Sequence, residues 1–294
     1  MKNKYSFLAV AAGVFWGSTG FFRRTLDGMG QSAMGVIAVR CFFAALLFAA
    51  VILATDRSAF KIKLRDAWVF LGCGLISLLV FGWCYFRAMD EMSLSAAAIL
   101  LYTAPFFVML MSAPLFREKL TGKKLFAMLL AFLGCCFVSG LGSGDAHITR
   151  LGLALGLGSG ICYALYSIFS RFSINKGYSV LTVNFYACAL AAAGALVIDG
   201  FSGFGAVFSS GYNFAMGAAT GLVTCFLPYL LYTRSLLGIE NGKASIMASV
   251  EPVVATIFGI IIYNEIPTPL SVVGMVLVLS AIVILNVKMK KDRT

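Results

Sequence analysis

Two ionisable side chains of opposite sign stand deep inside apolar runs: Arg40, about ten residues into the run at 31–54, and Glu251, about nine residues into that at 243–263. At ~1.5 Å per helical residue, Arg40 lies roughly 14 Å from the end of its run, near the middle of a ~30 Å hydrocarbon layer. A charge there is disfavoured by about 2.5–3.5 kcal/mol on insertion scales, so it is expected to face a cavity or a partner. The planar guanidinium of Arg40 suits a carboxylate or phosphate on a small-molecule substrate. A fixed ion pair or snorkelling to the interface is the alternative. Glu251 could bind a substrate ammonium, carry a coupling proton, or pair with Arg40 in one conformational state. Pro252 follows it and has no N–H to donate to the Ala248 carbonyl, which predicts local opening of that helix.

Aromatic residues supply the other candidate contacts. Trp16, Trp83, Tyr102 and Tyr163 are expected to line a cavity, where rings suit both apolar groups and organic cations. Membrane-surface belts are the competing role for these residues and for Tyr85, Tyr166, Tyr229 and Tyr232. Gly152, Gly156 and Gly160 recur every four residues, echoed by Gly13 and Gly17, and predict close helix packing. No strand precedes these glycines, and the segment 238–244 lacks the spacing and the Ser/Thr of a phosphate-binding loop, so ATP-driven transport is not expected of this chain. His147, the one histidine, lies near Asp145 in a polar connection and is expected to be solvated. Glu118 and Glu265 end two apolar runs, in helix-end, gating or interfacial roles. The eight cysteines all fall in apolar runs without metal-ligand spacing and read as packing residues. Without clustered acids, histidines or a nucleophile with its base, an intramembrane enzyme is not expected, nor is a metal or cofactor.

The elements that must position these groups are membrane helices. Of 294 residues 61% are hydrophobic and 12% charged, with a mean hydropathy of +0.94, far from the ~25% charged usage of soluble domains. Apolar runs at about 6–22, 31–54, 67–88, 93–116, 124–141, 151–170, 179–198, 211–233, 243–263 and 269–287 predict ten spans. The segment after Met1-Lys2-Asn3-Lys4 is read as a retained first helix, because further spans follow without a clear cleavage site. With the first residue cytoplasmic, eighteen of the 23 Lys and Arg fall in inner connections, including Lys288, Lys290, Lys291 and Arg293. Four, namely Arg23, Arg24, Arg87 and Arg150, fall in outer ones, and Arg40 is within a span. This bias places both termini in the cytoplasm. The net charge of +11 is thus distributed between spans, and no nucleic-acid partner is expected.

The sequence also matches itself at one offset of 147. Gly13/Gly160, Phe22/Phe169, Arg24/Arg171, Gly74/Gly221, Tyr85/Tyr232, Arg87/Arg234, Ile99/Ile246, Pro105/Pro252 and Glu118/Glu265 all fall on it. Two five-span halves, 1–147 and 148–294, follow, and five crossings make their orientations opposite. The fold expected is therefore all-α integral membrane, ten transmembrane helices as two inverted five-helix repeats. Opposed halves can exchange conformations, the basis of alternating access. Arg40 stands against Ala187 and Glu251 against Ala104, so both charges break the repeat, while Pro105 and Pro252 are expected to kink their helices.

Phe15-Trp16-Gly17-Ser18, Tyr85-Phe86-Arg87-Ala88-Met89, Tyr102-Thr103-Ala104-Pro105 and Glu118-Lys119-Leu120, with Tyr232-Thr233-Arg234-Ser235-Leu236, Glu251-Pro252-Val253 and Glu265, resemble the drug/metabolite transporter superfamily and its EamA-type ten-helix carriers. The resemblance covers nearly the whole chain. It implies a carrier whose substrates range from amino acids and related metabolites to drugs, nucleotides or choline-like cations. The leading expectation is a secondary carrier exporting amino acids or related metabolites across the inner membrane; an organic-cation carrier is the rival. Expected partners are a small-molecule substrate, the lipid bilayer, a coupling proton and a second copy of the chain in a homodimer.

Overall fold

A computed structural model describes residues 2–140, 149–201 and 204–287. Asp145, His147, the midpoint division at 147/148 and the terminal Lys288, Lys290, Lys291 and Arg293 lie outside the described residues. The described chain is helical throughout. Its helices are α1 (Lys2–Gly17), α2 (Thr19–Asp27), α3 (Ala33–Thr55), α4 (Ala67–Leu71), α5 (Phe81–Glu91), α6 (Leu94–Leu101), α7 (Ala104–Phe116) and α8 (Gly122–Val138). After the connection come α9 (Arg150–Asn175), α10 (Val180–Asp199), α11 (Gly211–Gly221), α12 (Leu227–Ser235), α13 (Asn241–Ala248), α14 (Glu251–Tyr263) and α15 (Pro269–Asn286). Joined end to end where they abut, they give, among the described residues, nine helices long and apolar enough to cross a membrane. The run expected at 124–141 is α8, whose 17 residues cover about 26 Å.

Short polar connections set the helix starts. The side chains of Ser32, Ser93, Thr121, Thr149, Ser179, Ser210 and Thr268 each accept a hydrogen bond from a first-turn N–H of the helix that follows. Each cap satisfies a donor that has no partner within the helix and would otherwise reach the interface unpaired.

Several local features recur 147 residues apart. π-helical stretches, Gly72–Val80 and Leu222–Phe226, interrupt the α4–α5 and α11–α12 spans. The spans carrying Pro105 and Pro252 are broken outright: α6 ends at Leu101 and α7 begins at Ala104, while α13 ends at Ala248 and α14 begins at Glu251. The prolines therefore do not kink continuous helices. Each sits in the first turn of a new helix, where its missing N–H has no partner to lose. Both new helices end on a left-handed residue, Arg117 (φ 55°) and Asn264 (φ 54°). Glu118 and Glu265 follow, their N–H groups turned back to the Ser112 and Gly259 carbonyls.

The breaks are held by packing across the sequence. α1 lies against α12, α13 and α14, whereas α9 lies against α5, α6 and α7. A Cβ on Gly13 would stand 2.4 Å from the Ala248 carbonyl oxygen, and one on Gly160 3.0 Å from that of Leu100 and 2.9 Å from the Thr103 hydroxyl. The backbone at each break is thus seated on a glycine of the other half. Gly13→Ala is expected to lower stability by about 1–3 kcal/mol, as overpacking does, read as a lower melting temperature of the detergent-solubilised protein. The repeat-related helices α3 and α10, and α8 and α15, also pack pairwise. α15 turns Val272, Val273, Val276, Leu279 and Val283 outward, the apolar face expected against lipid.

Candidate functional site

Arg40 and Glu251 come from spans far apart in sequence and enter one cavity of about 440 Å³. α3 contributes Ile37, Arg40 and Cys41, spaced at one helical face, and the break before α14 contributes Glu251 at the first turn of that helix. Trp16 and Gly17 come from α1, Leu78, Phe81, Gly82, Tyr85, Phe86 and Met89 from the α4–α5 span, and Tyr163 from α9. Leu101 and Tyr102 line it at the α6–α7 break, with Tyr229 and Ala255. Arg23, Arg24 and Asp27 on α2 stand at one end of the cavity.

The walls are aromatic and interlocked. Trp16 packs edge-on to Tyr229 at 5.2 Å and to Tyr163 at 6.0 Å between ring centroids, and Phe81 lies 5.3 Å from Tyr163. Tyr166 packs on Tyr229 at 4.8 Å and donates its hydroxyl to Asn184 Oδ1 at 2.5 Å, which fixes the wall from behind. The guanidinium of Arg40 lies beside Cys41, Cys225 and Tyr229, and Tyr85, Tyr102 and Tyr163 line the same cavity as the Glu251 carboxylate. Among the described residues, no ion pair joins Arg40 to Glu251. Both charges are partly open to the cavity they share. Behind Glu251 lies a second chamber of about 20 Å³, lined by Tyr102, Tyr163, Tyr232, Ser245 and Ser249, enough for one water molecule.

The opposite end of the molecule is closed by polar contacts. Arg171 on α9 donates to Asn241 Oδ1 at 2.8 Å, to the Ile239 carbonyl at 2.5 Å and to the Leu236 carbonyl. Glu118 accepts from the backbone N–H groups of Asn241 (2.7 Å) and Gly242 (3.2 Å) at the start of α13. Burial pushes the Glu118 carboxyl above the usual carboxylate range, against the pull of those two N–H donors. Lys124 pairs with Glu240 beside them.

The model of the EamA-like transporter family matches residues 3–140 and again residues 150–287. The chain belongs to that family. It is a multi-pass membrane transporter of the drug/metabolite transporter superfamily. Similar chains include the uncharacterized transporter YxxF of Bacillus subtilis (strain 168), 28% identical over 282 residues, 94% of this chain and 87% of the relative. The threonine/homoserine exporter RhtA of Escherichia coli (strain K12) is 26% identical over 250 residues, 85% of this chain and 80% of RhtA. A solved crystal structure superposes on this fold with a TM-score of 0.84 at 15% identity, covering 100% of both chains.

Of the residues singled out in the sequence of this EamA-like transporter, Arg40, Glu251, Trp16, Tyr102 and Tyr163 line the cavity. Trp83 does not. It is 45% exposed and shares an outer face of its helix with Val80 and Arg87, while Gly82, Tyr85, Phe86 and Met89 face inward. An aromatic in a membrane span has no intrinsic helical phase, and the phase of α5 is set by the side that meets the cavity. Trp83→Ala is accordingly expected to leave the apparent substrate affinity within about twofold, as surface substitutions do, in a filter-binding or transport assay. Tyr85 and Tyr229, named among the aromatics but not placed in the expected cavity cluster, also line it, as does Phe81, which sequence reasoning left out. The i, i+3, i+4, i+7 spacing of Gly82, Tyr85, Phe86 and Met89 was the available signal for Tyr85.

Proposed function

We propose that this transporter is a secondary-active carrier that exports amino acids or related small metabolites by alternating access, and is not an enzyme. One observation carries the reading: a guanidinium and a carboxylate share an aromatic-walled cavity of about 440 Å³ without pairing with each other. That volume is in the ~300–1,000 Å³ range of small-molecule sites. A zwitterion satisfies both charges at once, its carboxylate on the Arg40 fork and its ammonium on Glu251, while the rings of Trp16, Tyr102 and Tyr163 take its apolar part. The name of the relative RhtA, a threonine/homoserine exporter, agrees with that chemistry.

The accompanying architecture is ten transmembrane helices as two inverted five-helix repeats, 1–147 and 148–294, with α8 as the fifth crossing and both termini cytoplasmic in the inner membrane. Support comes from the two family matches, which begin at 3 and 150 and so stand 147 apart, and from the breaks, π-helical stretches and left-handed caps recurring at that offset. In this orientation the end carrying Arg23, Arg24 and Asp27 is outer, so the cavity faces outward and the Glu118–Arg171 end is closed. A coupling proton and a homodimer belong to the same reading.

The test is uptake and counterflow in proteoliposomes with a panel of radiolabelled amino acids and quaternary amines. Saturable transport of amino acids, competed by other zwitterions, is the expected result. Transport of quaternary amines with no amino acid carried would replace this reading with the organic-cation carrier.

A further inference from the structure

The contacts at the two ends of the molecule involve the same repeat-related residues in different arrangements. Arg171 and Glu118 grip the α12–α13 connection: the arginine holds the carbonyls of Leu236 and Ile239, and the glutamate caps the N–H groups of Asn241 and Gly242. Moved by 147, those partners become Arg24 and Glu265 on one side, and Met89, Met92, Leu94 and Ser95 on the other. In this structure Arg24 and Glu265 do not grip that connection. They pair with each other at 3.3 Å, with side chains 57% and 54% exposed, and Arg24 lies over the Tyr263 ring at 4.3 Å.

We infer that Arg24–Glu265 is the disengaged twin of the Arg171–Glu118 latch, and that the four residues are positioning residues that set which end of the cavity is open. In the opposite-facing state, Arg24 donates to the Met89 and Met92 carbonyls and Glu265 caps the first-turn N–H groups of α6, while Arg171 and Glu118 release α13. The backbone is already built for the exchange, because the left-handed residues Arg117 and Asn264 present both glutamates on equivalent turns. Each engaged latch satisfies backbone groups at a helix start and the connection before it, so opening one end is offset by closing the other. The inference rests on the inverted-repeat reading above.

Hydrogen–deuterium exchange of the full-length carrier in lipid nanodiscs tests it. Glu118→Gln is expected to raise exchange of the peptide over 236–245 by about tenfold or more, as when a hydrogen bond to a charged group is lost. The same variant should lower exchange over 89–98. Glu265→Gln, an exposed change, should leave 236–245 protected, raise the share of the outward-facing state and slow net transport; Glu265→Asp should restore part of the rate. Loss of protection at 236–245 with no reciprocal gain at 89–98 would make Glu118 a local cap only and overturn the inference. Where Glu118→Gln fails to fold, Arg171→Lys gives the same paired readout. Sided labelling with an impermeant reagent at single cysteines beside Arg24 and Glu118 separates the two readings. Labels on opposite sides without the reciprocal change sink the latch alone, and labels on one side sink the inverted repeat.

Discussion

Arg40→Gln is expected to lower kcat/KM for a transported amino acid by about 30-fold or more, the effect of truncating one partner of a buried, hydrogen-bonded charge pair by 2–5 kcal/mol. Glutamine keeps a polar head of similar reach but has neither the charge nor the two-pronged donor that meets a carboxylate. It also leaves Glu251 as the one charge of the pair still in the cavity, which favours cations over zwitterions. Arg40→Lys should recover part of the rate, because the charge returns without the fork. The measurement is initial-rate uptake in proteoliposomes alongside the melting temperature of each variant. If both variants fold and carry amino acids at the parental rate, Arg40 has a structural role through Cys41 on its own span and Cys225 and Tyr229 on the α11–α12 span.

Glu251→Gln carries the second large effect, and its pattern across substrates matters more than its size. As the ammonium ligand, Glu251 should matter for an amino acid and hardly at all for the matching 2-keto acid, which has a carboxylate and no ammonium. The expected result is a loss of about 30-fold or more in kcat/KM for the amino acid, against a change of less than about threefold for the keto acid. A different outcome points to a different role. Should exchange of labelled for unlabelled amino acid persist while accumulation driven by a pH gradient disappears, Glu251 is the proton carrier. The water-sized chamber lined by Tyr232, Ser245 and Ser249 behind it would then be the site through which the proton leaves.

Much of this was legible in the sequence, for reasons that differ between residues. The depth of Arg40 and Glu251 follows from their distance to the ends of apolar runs, because a membrane turns sequence position into depth at a fixed rise per residue. The pairing of Pro105 with Pro252 follows from the offset of 147. What was not legible is rotation and convergence. Trp83 and Tyr85 are two residues apart and face opposite ways, a difference that depends on where α3, α9 and the rest of the bundle stand around α5. The repeat-related Cys41 and Cys188 both fall beside Cys225, which lies 3.7 Å from Cys188, although the three come from three spans with no common motif. Proline marked where two helices are interrupted, but not that each resumes as a fresh helix one residue before it.

The seating of α1 on the α13–α14 break, and of α9 on the α6–α7 break, makes the molecule mechanically a swapped dimer tied into one polypeptide. Neither stretch of about 140 residues completes its own core, since the glycine helix that fills each break is supplied by the other stretch. Expressed as separate fragments, the two should be degraded singly and rescue each other when made together.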